Sequence, residues 1–140
     1  MMTSPEISEL ITAARRVQGK FRLGTDFSAG GVGAAIRGRS GQVYTGVCLD
    51  LACGIGFCAE HAAVAEMLKH RESEIDAVVA VGGRGILAPC GRCRELMAQI
   101  NPANLDCRVV LGEDRLVTLR DLLPEYWLDT GADRPARRPE

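Results

Sequence analysis

Aromatic side chains are scarce: one Trp, two Tyr and three Phe in 140 residues. Proteins that hold single-stranded nucleic acid stack its bases on aromatic platforms, so this scarcity argues against a polynucleotide substrate. Excess positive charge is also missing. The formal net charge is −1, which supplies no general pull toward phosphates. Together these absences exclude nucleic acid as the expected partner and favour a small, soluble substrate. No stretch approaches the roughly 20 apolar residues of a membrane span. Residues 1–9 carry no positive start followed by an apolar run, so the expectation is a cytoplasmic protein with no membrane partner. Internal repeats and low-complexity tracts are missing too.

What is present is an ordinary globular composition, 46% apolar and 25% charged, on a length that suits one hydrophobic core. A domain of this size buries about two thirds of the surface of its unfolded chain, so it needs no covalent staple. The six cysteines therefore call for another explanation. In a reducing compartment, grouped cysteines read as metal ligands or catalytic groups. A single domain is expected over residues 1–128. Residues 129–140 read as a flexible tail, because Arg134, Arg137 and Arg138 sit among Gly131, Asp133, Pro135 and Pro139 without apolar periodicity.

Ser4-Pro5 has the form of a helix start, with a hydroxyl cap and Pro at the first helical position. Ile7, Leu10, Ile11, Ala14 and Val17 then recur at helical spacing, predicting a helix from Pro5 to Val17 or Gln18. Residues 30–36 and 42–48 flank Gly38-Arg39-Ser40-Gly41, a turn that suits a hairpin. Residues 49–57 read as a loop. From Cys58 to about His70 the chain is Ala-rich and apolar nearly all round, which predicts a central helix buried on most faces. Residues 75–81 form a β-branched run suited to an interior strand, followed by a loop through Gly82, Gly83 and Gly85. A helix near Cys90 to Ile100, a strand over 107–111, and a last short strand and helix around Val117 to Leu123 complete the pattern. Strand-helix alternation after a hairpin points to a mixed sheet with helices on both sides.

Two short clusters carry the chemistry: Cys58-Ala59-Glu60 and Pro89-Cys90-Gly91-Arg92-Cys93. Cys90 and Cys93 are three apart and face the same way on a helix. Cys58 at the head of the other helix supplies a third thiol, and helix N-termini favour thiolates. Three protein ligands leave a fourth tetrahedral position open, the mark of a catalytic zinc site, whereas structural sites fill all four. Zinc lowers the pKa of bound water to about 7, and Glu60 stands two residues from a ligand as a proton shuttle. Arg92, between two ligands, is placed to draw charge from the sulfurs. His61 either shares that task or packs as a core residue. The competing reading is a four-cysteine scaffold completed by Cys53, which leaves Glu60 without a purpose. Cys48 and Cys107 fall on predicted strands, where a free Cys acts as a small hydrophobe.

These motifs resemble the cytidine deaminase superfamily in its small, three-cysteine, homotetrameric branch. The likeness extends through Gly33-Ala34-Ala35, Gln42-Val43-Tyr44-Thr45-Gly46 and Leu122-Leu123-Pro124. It implies a three-layer α/β/α fold with a mixed five-stranded sheet, one zinc per chain on Cys58, Cys90 and Cys93, Glu60 as the catalytic acid and base, and hydrolytic deamination of a cytosine-type nucleoside. A homotetramer is implied as well.

Residues 84–93 are more similar to blasticidin S deaminases than to the cytidine deaminases of pyrimidine salvage, and Tyr126-Trp127 after Leu122-Leu123-Pro124 points the same way. Where cytidine deaminases usually carry a stacking Phe and then an Asn and a Glu for the ribose, this chain has Gly30, Cys48 and Asp50. Asp50 is left as the sugar contact, with Ser28 as a further candidate. The carboxylate of blasticidin S calls for a cation, and Arg84 is either that cation, gripping it with two bonds, or a solvated loop charge. Tyr126 and Trp127 are expected to cover the pocket, to anchor the core or to sit at a subunit interface.

Overall fold

The computed structural model describes residues 4–128. Helix α1 spans Pro5–Val17 and starts as the sequence requires: the Ser4 hydroxyl accepts from the Ile7 N–H at 3.3 Å, and Pro5 fills the first helical position. Ile7, Leu10, Ile11 and Ala14 form its buried stripe.

The sheet consists of β1 (Phe21–Arg22), β2 (Ser28–Gly38), β3 (Val43–Asp50), β4 (Ile75–Gly82), β5 (Gly85–Leu87), β6 (Arg108–Gly112) and β7 (Arg115–Thr118). Its core runs β3, β2, β4, β6, β7 side by side, with only the β4–β6 pairing parallel. The expected mixed five-stranded sheet is this core. Two short strands extend it, β1 beside the opening of β2 and β5 beside the end of β4. The stretch read as a glycine-rich loop is instead a hairpin: Gly82 pairs with Gly85 across a two-residue turn, and β5 returns along β4. Gly85 has φ +119° there, a conformation that glycine adopts without a steric cost.

Alternation along each strand divides the core into two layers. Ala35, Ala77, Val79 and Val110 face α1. Their neighbours Ile36, Val78 and Val109 face the opposite way, beneath α2 (Ala59–Lys69) and α3 (Gly91–Ile100). Met67 of α2 and Met97 of α3 are fully buried in that second layer, and each contributes roughly 1.5–3 kcal/mol by leaving water. The result is the expected three-layer α/β/α arrangement.

Helix α2 departs from expectation in one respect. It buries Ala59, Glu60, Ala63, Val64 and Met67, but His61, Ala65 and Leu68 are exposed. The alanines serve close approach, not all-round burial. A Cβ placed on Gly46 of β3 would lie 2.4 Å from the Ala63 nitrogen and 2.7 Å from the Ala59 carbonyl oxygen, so only small residues fit where α2 presses on the sheet.

Two polar clamps hold the end of the sheet away from the thiols. The Glu72 carboxylate accepts from the Ser40 N–H and hydroxyl, both at 2.8 Å, and from the Tyr44 hydroxyl at 2.7 Å, tying the β2–β3 turn to the approach to β4. The Asn104 side chain, fully buried in a 3-10 turn over Pro102–Asp106, accepts from the Ile75 N–H and donates to the Ser73 and Met97 carbonyls. The predicted last strand and helix are β7 and a 3-10 turn over Arg120–Leu122. No helix among the described residues is long and apolar enough to cross a membrane. The tail expected over 129–140 lies outside the described residues.

Candidate metal centre and cavity

Both α2 and α3 are preceded by a cysteine at the N-cap, Cys58 and Cys90, in extended backbone. Neither thiol caps its own helix, and the two face each other with Sγ atoms 3.4 Å apart. One helical turn later Cys93 returns to the same side, its Sγ 3.6 Å from that of Cys90. All three sulfurs lie within 4.8 Å of one another. Thiolates around a tetrahedral zinc with bonds of about 2.3 Å are about 3.8 Å apart, so the trio has the spacing and the donor chemistry for that ion.

Charge explains why such a cluster suits a cation. Burial pushes the Cys93 thiol far up, and a hydrogen bond with Glu60 adds to it. Burial also raises Cys58, reinforced by its bond to Cys90. At Cys90 burial works in the same direction, but hydrogen bonds from the Cys93 backbone and from Cys58 outweigh it and hold the thiol below its ordinary value. A divalent ion removes the cost of ionising all three together. The Arg92 guanidinium, 3.7 Å from the Cys58 sulfur, is itself held more basic by its bonds to Cys58 and Cys90.

Beside the thiols opens a cavity of about 470 Å³. Glu60, only 4% exposed in the first turn of α2, lines it. It is the one buried charged side chain among the described residues. The walls are largely apolar, with Val32, Leu49, Phe57 and Leu87 among them, and Asp50 stands exposed at the end of β3.

Of the sequence candidates, the fold brings together Cys58, Cys90, Cys93, Glu60, Arg92 and Asp50. Ser28 is half-buried opposite Asp50 in the β2–β3 register and is not part of the cavity wall. Arg84 is exposed on the two-residue β4–β5 turn, also away from the wall. Tyr126 packs in the core layer beneath α3. Trp127 is exposed and donates its indole N–H to Glu95. His61 is exposed with its ring against Phe57 at 5.4 Å and lines a second, smaller cavity of about 180 Å³ that also borders Cys58 and Cys93. Cys53 is exposed and outside the thiol cluster.

The sequence reading missed three residues. Cys48 packs against the buried Ala34, Ala59 and Ala80 as expected, but it also lines the cavity and accepts from the Val32 N–H at 3.2 Å. Its signal was parity: Tyr44, Gly46, Cys48 and Asp50 share one face of β3. Phe57, in a segment read as loop, pairs with Leu49 and closes one wall. Arg94, whose side chain reaches back to the Pro89 carbonyl, left no periodic signal. Cys107 matches expectation as a buried hydrophobe, its thiol pushed up to about 12 by burial.

A three-layer fold that assembles three thiols and a buried glutamate around one cavity defines a zinc-dependent hydrolytic enzyme. Residues 5–109 match the family described as the cytidine and deoxycytidylate deaminase zinc-binding region, and the chain belongs to that family of deaminases. It is 30% identical over 106 residues to the blasticidin-S deaminase of Bacillus cereus, covering 66% of this chain and 74% of that one. It is 32% identical over 99 residues to the cytidine deaminase of Halalkalibacterium halodurans, with the same coverage. The crystal structure of cytidine deaminase from Mycobacterium tuberculosis superposes with a TM-score of 0.72 at 28% identity, covering 87% of this chain and 97% of that one. Identity thus does not set the blasticidin S branch apart, contrary to the expectation from residues 84–93.

Proposed function

We propose that this chain hydrolytically deaminates a free cytosine nucleoside, cytidine or deoxycytidine. The observation that carries this is the buried Glu60 carboxylate on the cavity, beside three thiols spaced for zinc. Zinc held by Cys58, Cys90 and Cys93 supplies Lewis acidity and brings a water's pKa toward about 7. Glu60 would make two transfers. It would take one proton from the attacking water and pass it to the ring nitrogen as the oxygen bonds to the amino-bearing carbon. It would then take the remaining hydroxyl proton and pass it to the amine as the carbon–nitrogen bond breaks, so that ammonia leaves neutral. Arg92 offsets the negative charge of the thiolates, which otherwise weakens the ion as an acid. The apolar walls at Val32, Leu49 and Phe57 shelter the ring from bulk water, and Asp50 accepts from sugar hydroxyls at the open end.

Blasticidin S is the second reading, supported by the Bacillus cereus relative and by residues 84–93. It called for a cation near the sugar, and Arg84 is not on the cavity wall; Arg92 is on it but is engaged with the Cys58 sulfur, and Asp50 is the charged group left at the wall besides Glu60. A carboxylate there suits hydroxyl groups and disfavours an anionic substituent. We therefore place cytidine first. The test is kcat/KM for cytidine, deoxycytidine and blasticidin S under one condition. A cytidine or deoxycytidine value at least tenfold above that for blasticidin S is expected, and the reverse order overturns the assignment.

The same reading carries one zinc per chain, a cytoplasmic location, a single deaminase domain over 1–128 and a homotetramer. Exposed Ile55 and Leu68 provide apolar surface for contacts between copies. Arg84, Ser28 and Trp127 then serve as substrate contacts only where a neighbouring copy brings them to a cavity, whereas Tyr126 is a core anchor. Sizing in solution tests the assembly.

A further inference from the structure

Arg94 sits one position after the last thiol ligand, on the first turn of α3, where its own N–H bonds to the Cys90 carbonyl at 3.0 Å. Its side chain turns back along the helix. Nε donates to the carbonyl of Pro89 at 2.7 Å, and Nη1 donates to the carbonyl of Leu122 at 3.2 Å. Pro89 is the buried residue before Cys90, and Leu122 ends the C-terminal 3-10 turn. One half-buried guanidinium therefore joins the turn that delivers Cys90, the helix that delivers Cys93, and the 3-10 turn over Arg120–Leu122.

The arrangement has a purpose that packing alone does not need. Cys90 is exposed and makes no side-chain cap of its helix. Its own side chain is not held by burial, whereas Cys93 is. The peptide joining Pro89 to Cys90 has to be held by other means, because a misplaced ligand weakens a metal site steeply. A planar guanidinium with fixed donors restrains two carbonyls at once, which an ammonium does less well. We infer that Arg94 is a positioning residue for the metal centre: through the Pro89 carbonyl it presets Cys90 at ligand distance from Cys58 and Cys93. This rests on the reading that the three thiols hold zinc.

The experiment uses Arg94→Met, which keeps the length and apolar stem, and Arg94→Lys, which keeps one donor. Zinc transfer from each purified chain to a chromogenic chelator is timed, and melting temperatures are measured with zinc bound and after its removal. For Arg94→Met the expected result is zinc transfer at least tenfold faster than wild type, with the zinc-bound melting temperature lowered more than the zinc-free one. Arg94→Lys should fall between, and it carries the test alone if the Met variant does not fold. A structural role alone lowers both melting temperatures equally and leaves transfer within twofold of wild type, and that result overturns the proposal. Wild-type protein that retains no zinc overturns the metal-centre reading and this proposal with it, whereas zinc-tight wild type with equally tight variants overturns the proposal alone.

Discussion

The Sγ atoms of Cys58 and Cys90 lie 3.4 Å apart although 32 positions separate them in the chain. The sheet makes this meeting possible: α2 and α3 lie on the same face and begin at the same end, so their N-caps converge. Each helix contributes a ligand at its electropositive terminus, and the second adds Cys93 one turn in.

Removal of either N-cap thiol should abolish zinc retention. Cys58→Ser and Cys90→Ser are expected to lose more affinity than the 10–100-fold typical of an outer partner, measured as metal content after dialysis against a chelator. Cys53→Ser is expected to keep one zinc per chain, because Cys53 is exposed and outside the cluster. Zinc lost from Cys53→Ser would restore the four-cysteine scaffold.

Gly46→Ala should damage the site from a distance. The added Cβ meets backbone atoms of α2 at 2.4 and 2.7 Å, so the helix has to lift, at a cost of about 1–3 kcal/mol. Cys58 and Glu60 move with it. A lower melting temperature together with reduced zinc content is expected, against Gly83→Ala as a control whose Cβ meets nothing within 4 Å. Gly46→Ala with wild-type stability would mean that α2 does not pack as closely as described.

Much of this site was legible because its signals are local. Cys90 and Cys93 declare themselves by three-residue spacing on a helix, and Glu60 by its place two after Cys58. The helix α1 was equally readable, since capping by Ser4 and the stripe from Ile7 to Ala14 act within one element. Cavity walls are assembled across strands, so the sequence showed the core packing of Cys48 but not its place on the cavity wall. β5 was hidden because three residues, Gly85 to Leu87, carry too little periodicity. The exposed face of α2 was missed because alanine gives the same signal whether it is buried or simply allows close approach.

Acid should weaken the fold through Glu72. Burial works against its charge, but the Ser40 and Tyr44 donors outweigh that and hold the carboxyl below its ordinary value. The folded pKa being the lower, the stabilisation is present above the unfolded value of about 4.3 and is lost as pH falls through the folded value. Glu72→Gln is expected to cost about 1–2 kcal/mol at pH 7, a shift of a few degrees in melting temperature, and progressively less below pH 4. An equal deficit at pH 7 and pH 3 would contradict the assignment of the effect to the charged carboxylate.

The most direct measurement is ammonia release from cytidine by zinc-loaded Glu60→Gln, with metal content determined on the same sample. The amide keeps the size of the side chain and removes its ability to move protons. The expected result is about one zinc per chain with turnover reduced by roughly 10²–10⁴-fold. Turnover near the wild-type rate at full zinc occupancy would contradict a proton-carrying role for Glu60 and, with it, the assigned chemistry of the cavity.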